Sequence, residues 1–194
     1  MSNTYILEIW KGTLHMKKLI LTFLLLLMTP LTAFAISLNE LQNNPDRYVR
    51  FSETQNETVY ADTNSIKCLR YVPPYYTLQA KIYFVAYDLN AIGEITNIYN
   101  YDYNQSSLSI MGKVMKSNPL CSEKEFIKLV FSEAYKNSGI TCGTTTMTRY
   151  NLNGIYQSSD NKSSTEKVDF LSNGYRMANL IFEKYYTTEF WITK

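Results

Sequence analysis

Over residues 75–88 the side chains alternate. Tyr76, Leu78, Ala80, Ile82, Phe84 and Ala86 fall on one face, and Tyr75, Thr77, Gln79, Lys81, Tyr83, Val85 and Tyr87 on the other. A period of two held for that length predicts a β-strand with its first face buried. Val59 and Tyr60 open a shorter strand before it, "ADTNS" reads as a turn, and 66–72 reads as a second strand. Pro73 and Pro74 mark a bend or an edge, because proline has no N–H to give to a central ladder. After "LNAIG" another strand is expected over about 94–103, and Leu108, Ile110 and Val114 suggest one more.

Elsewhere the period changes to that of a helix. Ser122 and Glu125 form a capping box, Phe126, Ile127, Val130, Phe131 and Ala134 make an apolar stripe, and Gly139 ends the segment. A last helix begins near Asn173, with Ala178, Ile181, Phe182 and Tyr185 at helical spacing. Residues 36–56 are polar and weakly periodic, with room for one short helix over 38–42. Residues 140–157 are threonine-rich and read as one or two strands around "NLNG", and 157–167 reads as a loop by composition. The sum is an α+β domain: an antiparallel meander of four to six strands with two helices packed on the face that holds Leu78, Ile82 and Tyr101.

Aromatic positions refine this picture. In "NIYNYDYNQ" Tyr99, Tyr101 and Tyr103 share a face with Ile95, while Glu94, Thr96, Asn100 and Asp102 share the other. Unpaired carboxylates do not go inside, so the tyrosines are expected to look inward, with their hydroxyls near the rim of the core. The opposite face of the preceding strand carries Tyr75, Tyr83, Val85 and Tyr87 beside Lys81. Aromatic and aliphatic groups on a nominally wet face imply either a covering layer, from the N-terminal segment or residues 143–157, or a docking surface for a partner.

The start of the chain has a different character. From Met16 it reads as a basic pair (Lys17, Lys18), a ten-residue apolar run, Pro30, and Ala33-Phe34-Ala35, the grammar of a secretory leader. Ten apolar residues fall short of the ~20 that span a bilayer. Residues 1–35 are therefore expected to be a leader, with translation starting at Met16. Residues 36–194 form one exported domain, periplasmic or extracellular, with no membrane span in the mature chain.

Processing would change the chemistry. The whole chain carries 19 basic and 17 acidic residues; losing Lys11, Lys17, Lys18 and Glu8 leaves a net charge of zero, which gives no drive toward nucleic acid. It would also remove His15, the single histidine, and with it triad or Cys–His catalysis and His-ligated zinc. No cofactor or metal motif is visible and the mature chain reads as non-enzymatic. A hydrolase working through carboxylates such as Asp62, Glu94 or Asp102 is the remaining enzymatic alternative. Cys68, Cys121 and Cys142 would meet an oxidising compartment. Cys121 and Cys142 flank a helix too long for an unstrained bridge, so a disulfide is expected between Cys68 and either Cys121 or Cys142, the alternative being three free thiols.

Around "TVYADTNSIKCLRY", followed by a long strand, the chain resembles small exported bacterial proteins of the surface-adhesin protein E type. The matching positions are Tyr60, Asp62, Ser65 and Ile66, within residues 57–115. The resemblance implies an exported sheet-plus-helix domain that binds host or surface proteins. No lipid-anchor cysteine stands at the cleavage point, a departure from attachment to the surface. An aromatic-rich binding module and an envelope component without a dedicated ligand are the two readings that follow.

Overall fold

The computed structural model describes residues 36–161 and 163–191. The predicted leader lies outside the described residues. The fold is mixed α and β, as expected. Among the described residues an antiparallel sheet of seven strands carries four α-helices, which enlarges the sequence reading at both counts. In chain order the elements are α1 (Leu38–Asn43), β1 (Tyr48–Glu53), β2 (Glu57–Val72), β3 (Tyr75–Ala86), β4 (Ala91–Asp102), α2 (Ser107–Ser117), α3 (Glu123–Lys136), β5 (Ile140–Asn151), β6 (Tyr156–Asp160), β7 (Ser164–Lys167) and α4 (Asn173–Tyr186). Strands β1 to β5 lie side by side in sequence order; β6 and β7 pair with opposite ends of β5.

The long alternation does what its period requires. Leu78, Ala80 and Ile82 of β3 are buried together with Tyr99 and Tyr101 of β4. Above them lie Ile110 and Val114 of α2, Val130 and Ala134 of α3, and Ala178, Ile181 and Phe182 of α4. Tyr101 sits deeper than the rim expected for it, because its hydroxyl donates to the Ala178 carbonyl at 2.8 Å and needs no water. The tail of the chain closes this core. The Asn179 side chain donates to the Trp191 carbonyl at 2.9 Å and accepts from the Trp191 N–H at 2.8 Å.

Four segments depart from the sequence reading. "ADTNS" does not reverse the chain. β2 runs on for 16 residues, and residues 63–66 bulge out opposite Ala80, between the pairs Asp62–Lys81 and Lys67–Gln79. The bulge is held from several sides. Asp62, 1% exposed, takes two 3.0 Å hydrogen bonds from Arg47 and one from the Asn64 N–H at 3.1 Å. Ser65 donates to the Asp62 carbonyl and accepts from the Lys81 N–H. Leu108, Ile110 and Val114 belong to a helix rather than a strand, since Ser106 caps the Ser109 N–H and Ile110 and Val114 recur at i, i+4. β1 arises in a stretch expected to be irregular. Finally, the polar loop expected over 157–167 contains β7 and most of β6.

Gly139 shows how tightly the α3–β5 turn is set. Its φ is +71°, and a Cβ there would stand 2.5 Å from the Gln105 Cβ and 3.0 Å from the Asp102 carbonyl oxygen. The Asp102 N–H meanwhile donates to the Gly139 carbonyl at 2.8 Å. Gly139→Ala combines the left-handed penalty of ~1–2 kcal/mol with a backbone clash, and is expected to cost about 2–3 kcal/mol in urea unfolding.

A candidate binding surface at the open end of the sheet

The outer face of the sheet, opposite α2 to α4, is divided. At one end α1 lies across it. Ile36 and Leu41 pack with Tyr48, Tyr60, Tyr83, Val85 and Ile92 in a second core, bordered by Leu38, Tyr87, Tyr150 and Leu152. The Leu38 N–H donates to the Leu152 carbonyl at 2.9 Å, which ties the cover to the strand turn after β5. Tyr48 meets Tyr83 edge-on at 5.7 Å.

This corrects the reading of the five candidate partner-binding residues as one wet face. Tyr83 and Val85 are interior, and burial together with nearby Glu94 raises the Tyr83 phenol above its ordinary value. Tyr87 is half-buried and its hydroxyl meets that of Thr58 at 3.0 Å. Lys81 is committed to Glu94 at 2.7 Å. Tyr75 alone of the five is 45% exposed, at the far end of β3 where α1 does not reach.

That far end is built differently. β1 stops pairing at Asp62, so residues 67–72 of β2 have, among the described residues, β3 on one side and no strand on the other. The strand register sets Arg70, Thr77, Asn100, Thr141 and Lys167 in one row across five strands. Thr77 donates to the Asn100 Oδ1 at 2.9 Å, and the Asn100 Nδ2 donates to the Thr141 Oγ1 at 3.2 Å. The row lines a groove of about 320 Å³ with Tyr75 and Asp102 beside it. A cation stands at each end: the Arg70 guanidinium lies 5.6 Å from the Tyr75 ring centroid, and the Lys167 ammonium donates to the Lys136 carbonyl at 2.7 Å. Beside the groove, the β2–β3 hairpin exposes Leu69, Tyr71 and Val72. They divide between its two faces: Val72 pairs with Tyr75 beside the cleft, an exposed apolar edge that contact with another molecule would cover, while Tyr71, opposite Tyr76, meets the Tyr76 and Tyr186 rings on the helix side.

No family model, curated protein or solved structure matches the chain.

The other candidate chemistry is dispersed. Asp62 is bound to Arg47, Glu94 to Lys81, and the Asp102 Oδ1 accepts from the Asn104 N–H at 3.0 Å. Glu94 and Asp102 stand eight residues apart on one strand, about 26 Å, well beyond the ~10 Å of a working carboxylate pair. Among the described residues no cluster of three or more His, Cys, Asp or Glu could hold a metal.

The expected disulfide is absent: Cys68, Cys121 and Cys142 are free. The pairing explains the Cys68–Cys142 case. Cys68 faces Leu78, Leu78 faces Tyr99 and Tyr99 faces Cys142. Three strand spacings make about 14 Å, against the ~7 Å that a bridge tolerates. Burial pushes the Cys142 thiol up to about 11, so it stays protonated and a weak nucleophile at neutral pH.

Sequence reasoning placed Tyr75 and Thr77 on the outer face of β3, and Asn100 and Asp102 on that of β4. It missed Arg70, Thr141 and Lys167 as their neighbours. Only the order of the strands brings those three alongside, and Lys167 sat in a stretch that composition marks as loop.

Proposed function

We propose that this chain is an exported, non-enzymatic binding module that grips a partner protein with the open end of its sheet. Val72 and Tyr75 supply apolar contact, and the Arg70–Lys167 row supplies polar contact. The exposed Val72 and Tyr75 on the cleft face of the β2–β3 hairpin are the observation that carries the reading. Tyr75 is 45% exposed here, whereas Tyr83, Tyr99 and Tyr101 of β3 and β4 are packed. Aromatic rings beside arginine give large contact area for little lost side-chain freedom.

Export rests on the leader pattern of residues 16–35. Among the described residues no helix is long and apolar enough to cross a membrane. The resemblance to surface-adhesin protein E supports the same reading, through the fold more than the partner. Tyr60 is in the second core, Asp62 and Ser65 fasten the β2 bulge, and Ile66 packs on the first core. The four matching residues thus build the scaffold on which the hairpin is displayed.

The test compares Val72→Ser/Tyr75→Ser with the parent chain in surface plasmon resonance against immobilised host-matrix and bacterial surface proteins. The double variant is expected to bind at least about tenfold more weakly. Its Tm should move little, as is usual for exposed positions. Equal binding by the two proteins would remove this surface from the function.

A further inference from the structure

We propose that the partner protein meets the open end of the sheet with an acidic segment, laid across the strands with two carboxylates six residues apart. The inference rests on the reading of the hairpin and groove as the binding surface, and adds the chemistry of what binds there. Charge is the first argument. Without residues 1–35 the basic and acidic side chains are equal in number, so the chain as a whole favours neither sign. This end of the outer face does. Lys67, opposite Gln79, shares it with Arg70 and Lys167. All three are exposed, and among the described residues none is in an ion pair. The carboxylate that borders the groove is Asp102. Three unpaired cations against one carboxylate leave a positive patch, which steers and selects an acidic partner.

Hydrogen-bond polarity is the second argument. Along the row, Asn100 accepts from Thr77 and donates to Thr141. One Asn100 N–H, the Thr141 hydroxyl hydrogen, the Arg70 guanidinium N–H groups and two of the Lys167 ammonium hydrogens have no acceptor among the described residues. A segment rich in acceptors suits them, and a carboxylate takes a guanidinium through two parallel hydrogen bonds. The exposed Val72 and Tyr75 beside Arg70 favour a polypeptide over a polyanionic sugar, which has no apolar side chain to lay against them.

The strand spacing sets the pattern. Arg70 on β2 and Lys167 on β7 are four strand spacings apart, about 19 Å. An extended segment rises ~3.3 Å per residue and covers that span in about six residues. Six is even, and alternate side chains share a face, so acids at i and i+6 both point at the sheet. A spacing of five would turn one of them away. Asp102 stands two residues along β4 from Asn100, about 7 Å from the middle of the row. It repels a carboxylate placed there, so the residues between the two acids are neutral.

The experiment titrates the purified chain into a labelled synthetic peptide of serine and threonine with glutamates at i and i+6, read by fluorescence anisotropy at low and high salt. Its controls carry glutamates at i and i+5, or glutamines at i and i+6. The first peptide is expected to bind at least about fivefold more tightly than either control, and to weaken as salt rises. Arg70→Gln and Lys167→Gln are each expected to weaken it about threefold, the factor for an exposed ion pair, with Tm unchanged. Arg70→Glu is expected to turn the preference toward a peptide with one lysine and one glutamate six apart. No binding, equal binding of the three peptides, or indifference to salt or to both glutamine substitutions overturns the proposal. Tighter binding of a sulfated oligosaccharide of the same charge, lost in Arg70→Gln/Lys167→Gln, also overturns it and assigns the row to an anionic sugar. The hairpin reading fails separately, on Val72→Ser/Tyr75→Ser against whole proteins. If that pair weakens protein binding while the acidic peptides do not bind, the surface stands and the acidic segment falls.

Discussion

Above pH 10 the protein will lose stability at about 7 kcal/mol per pH unit and unfold in one cooperative step. The cause is the number of phenols held inside. Tyr48, Tyr83, Tyr99, Tyr101 and Tyr175 are each no more than 3% exposed. Burial is the first cause that raises the ionisation of every one of them above the ordinary phenol value. Tyr175 owes its shift to burial alone. In the unfolded chain a phenol ionises near pH 10. A group whose folded value is raised contributes its stability in full below that pH and loses it as the pH climbs toward the folded value. Each such phenol costs about 1.4 kcal/mol per pH unit in this window, and five act together. Cys142, pushed up to about 11, adds in the same direction. A domain stable by about 5–15 kcal/mol is therefore expected to unfold one to a few pH units above 10. Thermal melts at stepped pH, read beside tyrosinate absorbance, check this. Ionisation of all the tyrosines with Tm unchanged would show that the buried phenols titrate in place.

The same burial separates what the sequence shows from what it hides. β3 and β4 are legible because each is flanked by strands on both sides and has a core above it, so buried and less buried positions alternate over Leu78–Ile82 of β3 and Tyr99–Asp102 of β4. α3 is legible from its capping box: the Ser122 Oγ accepts from the Glu125 N–H at 3.3 Å. β6 and β7 are not, because most of their side chains face water and leave no apolar stripe to read. In β2 the turn-like composition of "ADTNS" reports a real irregularity. Its consequence depends on Arg47, fifteen residues away from Asp62, and no local pattern contains that ion pair.

The candidate surface divides along the same line. Alternation puts Tyr75, Tyr83 and Val85 on one face of β3, and the structure agrees. Which of them meets water is decided by where α1 lands, through Leu38 on Leu152 and Leu41 in the second core. The cover is only six helical residues long, so it hides one end of the face and leaves Tyr75 outside. A short cover over a long sheet is the physical origin of the proposed site.

Phe182→Ala is expected to cost about 4 kcal/mol, more than the other substitutions considered. Phe182 is 2% exposed and projects from α4 into a ring of aromatic side chains. Its centroid lies 4.7 Å from Tyr186, 4.9 Å from Tyr101, 5.5 Å from Phe190, 5.9 Å from Tyr76 and 6.1 Å from Tyr103. Truncating a buried phenylalanine removes its transfer free energy and leaves a cavity, for about 3–5 kcal/mol in total. The upper half of that range applies where the neighbours cannot close in. Tyr101 is pinned by its hydrogen bond to Ala178, and Phe190 by the adjoining Trp191, which Asn179 holds through both of its amide atoms. Tyr185, three residues along the helix and 43% exposed, is the control, and Tyr185→Ala should cost less than about 1 kcal/mol. Urea titration of the two variants reads the difference directly, as a fall in the midpoint for Phe182→Ala at an unchanged slope. Equal midpoints would mean that the helix is not seated on the sheet through this ring. A changed slope would locate the effect in the unfolded chain rather than in the packed core.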